Sequence, residues 1–281
     1  METTFQPAFT VSLTALQTTM ERAFKGYIAG DVQFTPAAFA HYIALSHIHL
    51  GWSLIAVQDE QPVGIAFLAR RGQTTRIAGM GVVPEAQGTG VGRALLNAVI
   101  DQARAGGDTM LVLEAFEENT RAVRLYESVG FQIVWRLLGF SRSADHPVVP
   151  ADSTLSLENV ALVEAGRWLT AWGADDLPWQ LSGATLTHST PPNIAYRIGD
   201  GYAVVSAPPN LAYRIAIRAL AIPPLLQRRG AGTAMLAALI AAFPGKNWAV
   251  PPLCPEEYAP LFMRNGFVRE PLHQVLMQMQ L

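Results

Sequence analysis

Two short glycine-rich clusters are the residues of this chain best placed to do chemistry. They read Gln87-Gly88-Thr89-Gly90-Val91-Gly92 and, 140 positions later, Gln227-Arg228-Arg229-Gly230-Ala231-Gly232. Each follows an apolar run ending in proline, and each opens an alanine-rich stretch. Glycine lets a backbone take positive φ and come close to a ligand. The first N–H groups of a helix lack an intrahelical acceptor and carry the positive end of its dipole. A glycine loop that enters a helix is therefore suited to hold phosphate. Two phosphate motifs do not fit. A Walker loop ends in Gly-Lys-Ser/Thr, whereas Gly92 is followed by Arg93-Ala94. A dinucleotide fingerprint needs a third glycine where Arg93 stands, and no nearby strand supplies its ribose-binding acid.

The elements around the first cluster follow from periodicity. Leu13, Leu16, Met20, Ala23 and Phe24 recur at helical spacing and predict a helix over residues 12–30. Thr35 and Pro36 open a second helix to about Leu45. Strands are expected over 52–57, 63–69 and 75–83, the last stopped by Pro84. A helix over 90–105 buries Val91, Ala94, Leu95, Ala98 and Val99 and stops at Gly106-Gly107. A strand over 110–115, a helix over 119–129 and a strand over 131–138 complete the unit. This order mixes hairpins with crossover helices and implies an α+β fold with a mixed sheet.

The second half repeats the order. A linker over 141–153 carries Pro147 and Pro150, and one helix is expected over 155–172. Strands are expected over 194–198, 202–206, 212–222 and 248–250, with helices over 230–243 and 257–265. Gly130-Phe131 recurs as Gly266-Phe267, so two landmarks appear in one order at nearly one shift. The chain reads as a duplicated domain, with residues 1–140 and 154–281 as the two copies.

At 281 residues and 50% hydrophobic, the chain can bury two cores and is not disordered. A net charge of −2 gives no case for nucleic acid or an anionic membrane surface. The longest apolar helix-like run, residues 234–243, is too short to span a bilayer. The N-terminus lacks a signal-peptide pattern, and the single Cys254 excludes an intramolecular disulfide. A cytoplasmic monomer or homodimer is the expectation. His47 and His49 lack an evident third ligand, so no metal is expected.

The stretch Val82-Val83-Pro84-Glu85-Ala86-Gln87-Gly88-Thr89-Gly90-Val91-Gly92-Arg93-Ala94-Leu95-Leu96 is followed by Asn119-Thr120-Arg121-Ala122-Val123-Arg124-Leu125-Tyr126-Glu127-Ser128-Val129-Gly130-Phe131. Together they resemble the GCN5-related N-acetyltransferase (GNAT) superfamily, well over residues 9–140 and weakly over 194–281. The resemblance implies two tandem GNAT-like domains, each a mixed, mostly antiparallel sheet flanked by helices. It implies acetyl-CoA as donor and a small-molecule or peptide amine as acceptor. The loop amides of Gln87, Gly88, Thr89, Gly90, Val91, Gly92 and Arg93 would take the pyrophosphate. The backbone of Met80, Gly81, Val82 and Val83 would take the pantetheine arm, with one N–H polarising the thioester carbonyl. Asn119 would bond the pantetheine, and Tyr126 stands at the family's general-acid position. The base is open among Glu114, Glu117, Glu118 and a water chain. Tyr27 falls where relatives wall the acceptor.

The second copy departs from this pattern. Pro223 stands for Val83, Phe262 for Tyr126, Pro255 for Asn119 and Val250 for Glu114. The first domain is therefore the expected catalyst. The second would support it, shape the acceptor site, or still hold CoA. A module that binds acyl-CoA without turning it over is the other reading.

Overall fold

The computed structural model describes residues 2–147, 152–173, 177–207 and 214–281. Pro150 of the expected linker, and residues 212 and 213 at the head of an expected strand, lie outside them. The chain divides into two compact units, residues 1–134 with 275–281, and residues 135–274.

The first unit runs β1 (Thr4–Pro7), α1 (Leu13–Ala23), α2 (Pro36–Leu45), β2 (Leu54–Gln58), β3 (Gln61–Arg71), β4 (Thr74–Val82), α3 (Val91–Ala105), β5 (Met110–Phe116) and α4 (Thr120–Glu127). Ser12 and Thr35 cap α1 and α2 by accepting the N–H of Ala15 and Ala38. The helix expected over 12–30 ends at Ala23, and Gly26 and Gly30 take positive φ in the turn beyond.

The strand β6 (Gln132–Arg142) then crosses the boundary between units at Trp135. The second unit continues with β7 (Leu157–Val160), α5 (Leu162–Trp172), α6 (Gly183–Thr187), β8 (Asn193–Ile198), β9 (Gly201–Ser206), β10 (Arg214–Ala221), α7 (Ala231–Ala241), β11 (Asn247–Pro255), α8 (Ala259–Arg264) and β12 (Val268–Arg269). The last strand, β13 (Gln274–Gln280), returns to the first unit.

Strand order in the first unit is β1-β2-β3-β4-β5-β13, and in the second β6-β11-β10-β9-β8-β7, with β12 on β6. Each unit thus takes an edge of its sheet from the other half of the sequence. Division at residue 140 is replaced by this exchange. Val275, Met277 and Met279 of β13 are buried with Leu95, Leu111 and Phe131 in the first unit. Leu138 and Phe140 of β6 are buried with Leu236 and Trp248 in the second.

Two further expectations change. The helix expected over 155–172 begins as strand β7, which pairs antiparallel with β8 from Leu157↔Ile198 to Val160↔Ala195. The short strand expected at 248–250 extends through Pro255, and its pairing with β6 shifts between Val250 and Cys254. Pro251 and Pro252 fall in that shift, where a missing N–H breaks no regular ladder.

In each unit the sheet is packed on both faces. In the first, α3 and α4 cover Leu68, Ile77 and Leu113. Helices α1 and α2 cover Ile65 and Phe67 on the other face.

Candidate active site

Strands β4 and β5 run parallel, and their pairing covers only Thr74↔Met110 to Ile77↔Leu113. Beyond that point β4 still pairs with β3, but through a bulge. Phe67 faces Gly79 and Leu68 faces Ile77, so Ala78 is the extra residue. The bulge turns the end of β4 away from the register it shares with β5. Residues 79–82 keep β3 on one side and lose their neighbour on the other.

The ladder decides which backbone groups face the open side. The N–H of Val83 donates to Val63 C=O at 2.9 Å, so Val83 and Val63 form a hydrogen-bonded pair. Such pairs alternate in antiparallel ladders. Gly81 therefore turns its N–H and C=O to β3, while Met80 and Val82 turn theirs outward. The amide of Gln87 donates to Val82 C=O at 3.0 Å from that outer side. Of the four residues expected to present backbone groups to a ligand, Met80 and Val82 turn theirs away from β3, whereas Gly81 and Val83 turn theirs to it.

The loop follows. Gly88 and Gly90 have φ of +79° and +92°, and Gly90 is the N-cap of α3. A Cβ at either glycine would meet no atom within 4 Å, so the outer side of the loop is open. Thr89 ties the turn by donating to Ala86 C=O at 2.7 Å. The first intrahelical bond runs from Ala94 to Gly90, which leaves the N–H groups of Val91, Gly92 and Arg93 without an intrahelical acceptor. Gly92 sits where α3, β4 and α4 meet, its Cβ direction 3.6 Å from Val82 and 3.8 Å from Leu125. These features fit a pyrophosphate with an extended arm along β4.

Sequence reasoning assigned no role to Arg121, which donates to the Gln87 side chain at 3.2 Å on the exposed rim of the loop. Its signal was present, since it lies two residues after Asn119. Arg93 turns its guanidinium to the Ser128 hydroxyl at 2.8 Å, so its side chain leaves the loop that its backbone helps to form.

Tyr126, Tyr27 and Asn119 come together. Asn119 caps α4 by accepting the N–H of Ala122, and it also hydrogen-bonds the Tyr27 phenol. The Tyr27 ring packs edge-on against Phe24 at 5.1 Å and Phe116 at 5.9 Å. Burial raises the pKa of the Tyr27 phenol, and the Asn119 bond partly offsets the rise. Tyr126 is buried, edge-on to Phe131 at 5.8 Å. Burial pushes its phenol well above its ordinary value, and the neighbouring Tyr27 adds to the rise. Such a phenol keeps its proton until a strong base develops beside it.

Glu114, one of the candidates for the base, is buried at the end of the β4–β5 pairing. Its side chain is 3% exposed, and its Oε2 accepts Nε of Arg76 at 2.9 Å and Nη2 at 2.8 Å. Both lie one step beyond or before the last β4–β5 pair. Tyr42 feels both charges and donates to the bulge carbonyl of Ala78 at 3.3 Å. Glu117 is half-buried and Glu118 exposed, both past the end of β5. His47 meets Arg71 through Nδ1 at 2.8 Å, whereas His49 Nδ1 accepts the N–H of Trp52, so the two histidines are held apart. Burial, with help from Arg76, lowers the Arg71 pKa to about 10. Among the described residues, no group of three or more His, Cys, Asp or Glu is placed to hold a metal ion. No helix among them is long and apolar enough to cross a membrane.

The second unit repeats the frame. Its β10–β11 parallel pairing stops at Ala216↔Ala249, and β10 bulges at Arg218. Gln227 donates to Ile222 C=O at 2.9 Å, as Gln87 does to Val82. Gly230 has φ of +87°, and Arg228 holds φ of +58° where the first loop has Gly88. Gly232 lies 3.5 Å from Leu261 and 3.7 Å from Ile222, the same three-element junction. Pro223 lacks the N–H that Val83 gives to the sheet, so its substitution removes a ladder bond and no outward donor. Phe262 stacks on Phe140 at 5.2 Å inside the core. Cys254 is buried, and burial with Glu257 nearby pushes its thiol up to about 12.

A truncated parallel pair, a bulged β4 and a glycine loop feeding α3 define an α+β fold with an open strand end beside a helix N-terminus. Residues 18–131 match the Acetyltransferase (GNAT) family. The chain folds as two units, and that match lies within the first. N-alpha-acetyltransferase RimI of Mycobacterium tuberculosis is 38% identical over 109 residues, 37% of this chain and 65% of that protein. Mycothiol acetyltransferase of Thermobispora bispora is 52% identical over 52 residues, 18% of each chain. The match thus spans less than two thirds of either relative. Two solved structures follow nearly the whole chain. A GCN5-related N-acetyltransferase from Sphaerobacter thermophilus has a TM-score of 0.68 at 13% identity, covering 99% of this chain and 95% of that one. A tandem GNAT protein from the clavulanic acid biosynthesis pathway has 0.67 at 14%, covering 99% and 98%.

Proposed function

We propose that the first unit moves an acetyl group from acetyl-CoA to an amine by direct attack. The observation that carries this reading is the parting of β4 from β5 after Ile77↔Leu113, between the open glycine loop and the Tyr126–Tyr27–Asn119 cluster. The outward amides of Gly88–Arg93 take the pyrophosphate, and Arg121 adds positive charge at the rim. The outward groups of Met80 and Val82 hold the arm, and an outward N–H of β4 polarises the thioester carbonyl.

The amine nitrogen attacks the carbonyl carbon, the tetrahedral oxyanion collapses, and the C–S bond breaks as the amide forms. Fixed backbone donors suit that oxyanion because they need no reorganisation. Tyr126 gives its proton to the departing thiolate. The proton lost by the amine passes to Glu114, directly or through water, and Arg76 holds that carboxylate in place. Asn119 positions Tyr27, which walls the acceptor side. The relatives are named an N-alpha-acetyltransferase and a mycothiol acetyltransferase, so peptide N-terminal amines and small-molecule amines are the first acceptors to test.

The test is acetyl-CoA turnover across an amine panel with wild type and Tyr126→Phe. Removing a general acid lowers kcat by roughly 10²–10⁴, with acetyl-CoA affinity retained. Unchanged kcat in Tyr126→Phe overturns the acid assignment. CoA binding without turnover on any amine favours a non-catalytic acyl-CoA module.

A further inference from the structure

Lysine is almost absent from this chain. Lys25 and Lys246 are its only two, and arginine supplies the other side-chain cations. The difference matters beside a thioester. A lysine amine sheds a proton and attacks a carbonyl, whereas a guanidinium stays protonated. Where the two amines sit therefore decides whether the chain is an acceptor itself.

Lys25 follows α1, beside the strand expected to hold the donor. Gly81 lies between Met80 and Val82, whose backbone groups turn away from β3. Its Cβ direction points at the end of α1, 2.9 Å from Ala23 Cβ and 3.0 Å from Phe24 Cε2. Met80 and Val82 pack instead with the α3 core. Lys25 is the residue after Phe24, and consecutive Cα atoms are about 3.8 Å apart. Its side chain thus starts one residue from a direct contact with β4, on the face opposite α3. Tyr27, the expected acceptor wall, is two residues further on.

The backbone around Lys25 is fixed. Phe24 packs against the α1–α2 core and edge-on to Tyr27 at 5.1 Å, and Asn119 holds Tyr27. Gly26 has φ of +69° and donates its N–H to the Asp31 carboxylate at 2.6 Å. The Lys25 side chain is exposed, and among the described residues no hydrogen bond or ion pair holds its ammonium. It does act on Glu85, which lies between β4 and the glycine loop. That carboxyl is depressed by its own backbone hydrogen bond first, then by Arg22, and Lys25 adds to the effect. A flexible four-carbon stem rooted beside Gly81 and acting on Glu85 sweeps the end of β4.

We propose that Lys25 is an acetyl acceptor within the chain, taking the acetyl group from acetyl-CoA held at the first unit's glycine loop. The proposal rests on the reading of that unit as an acetyl-CoA site. The ammonium first gives one proton to water. The free amine adds to the carbonyl carbon, the N–C bond forms and the C–S bond breaks. The thiolate leaves with the Tyr126 proton, and the surplus proton on nitrogen restores that phenol through water. One proton is released for each acetyl group moved. The product is uncharged, so Glu85 keeps Arg22 as its cation.

The test incubates the full chain with acetyl-CoA and no added amine, and follows acetylation by intact mass and peptide mapping. The expected result is one acetyl group on Lys25, at a rate independent of protein concentration. Lys246 is the reference, half-buried in the second unit between α7 and β11. It should react at least about ten-fold more slowly, since an amine held beside its donor outpaces one that meets it by collision. Lys25→Arg should abolish the label while free amines are still acetylated. Gly90→Glu should abolish both.

Equal labelling of the two lysines overturns the proposal, as does Lys25 labelling that persists in Gly90→Glu, because the reaction would then be unassisted. A rate that rises with protein concentration overturns it too, as transfer between copies. An unlabelled Lys25 in a chain that acetylates free amines overturns the proposal alone. Neither labelling nor turnover, with no binding of acetyl-CoA, overturns the reading of the first unit as well.

Discussion

At the end of β4 the first unit gathers Tyr126, Tyr27, Asn119 and the Arg76–Glu114 pair. At the end of β10 the second unit has Phe262, Pro255, Ala216 and Val250 in the matching places, and Arg218 at the bulge. The backbone hardly distinguishes them. Both have the truncated parallel pairing, the one-residue bulge, the glutamine hook onto the outward carbonyl and a left-handed glycine opening the helix. The frame is therefore a packing solution that can persist without the chemistry. It needs glycine or a tolerated left-handed residue, a small residue at the three-element junction, and apolar faces on both sides. Arg228 shows how far the loop shape is held, since a non-glycine residue there bears a conformational cost of order 1–2 kcal/mol.

The sharpest way to break this contrast is to fill each loop in turn. Gly90→Glu should abolish acetyl-CoA-dependent turnover, while Gly230→Glu should leave it within about three-fold. Steady-state assays on both variants decide it, and the opposite pattern would make the second unit the catalyst.

Next comes the first unit's buried ion pair, Arg76 with Glu114, whose matching positions in the second unit are Ala216 and Val250. Arg76→Met strands the Glu114 carboxylate at 3% exposure and should cost about 3–5 kcal/mol of stability, read from urea unfolding. The second unit already manages with Ala216 and Val250 at these positions. Arg76→Ala with Glu114→Val should therefore recover much of the stability without recovering turnover.

A smaller effect tests the exchange of strands. Met277 lies in the sequence of the second half but is fully buried in the first unit. Met277→Ala should cost about 2–5 kcal/mol and lower acetyl-CoA-dependent activity above its new unfolding midpoint. If instead only signals from the second unit's Trp248 moved, the assignment of β13 would be wrong.

The smallest effect concerns Cys254. Its folded pKa, about 12, lies above the ordinary 9.0, so the neutral thiol is favoured by folding. That contribution is present in full below pH 9.0 and is lost as pH rises toward about 12. Cys254→Ala should flatten the alkaline limb of stability between those values. Thiol labelling of the native protein near pH 8 should be slow and should accelerate on unfolding.

Much of this was legible from residues alone. The glycine pattern placed both loops, because few residues other than glycine take positive φ at low cost. The cap at Thr35 placed a helix start, because its bond is local. The division into units was less legible. Strand β13 is apolar and alternating, but nothing local tells a strand which sheet edge it will join. Strand β7 was taken for helix because Leu155–Trp172 is apolar enough to suit either period, and pairing with β8 settled it. Likewise, the ion pair of Glu114 was not legible, because its partner Arg76 lies 38 residues away.

The sequence by itself determined the duplicated loop, the family resemblance and the absence of a phenolic acid and an Asn119 counterpart from the second copy, since these depend on residue identity at fixed spacing. Only the tertiary structure decided that Met80 and Val82, not Gly81 and Val83, face outward, because that depends on which ladder pairs are hydrogen-bonded. It alone joined Tyr27 to Asn119 and Tyr126 and paired Arg76 with Glu114, because each depends on which distant strands and helices meet.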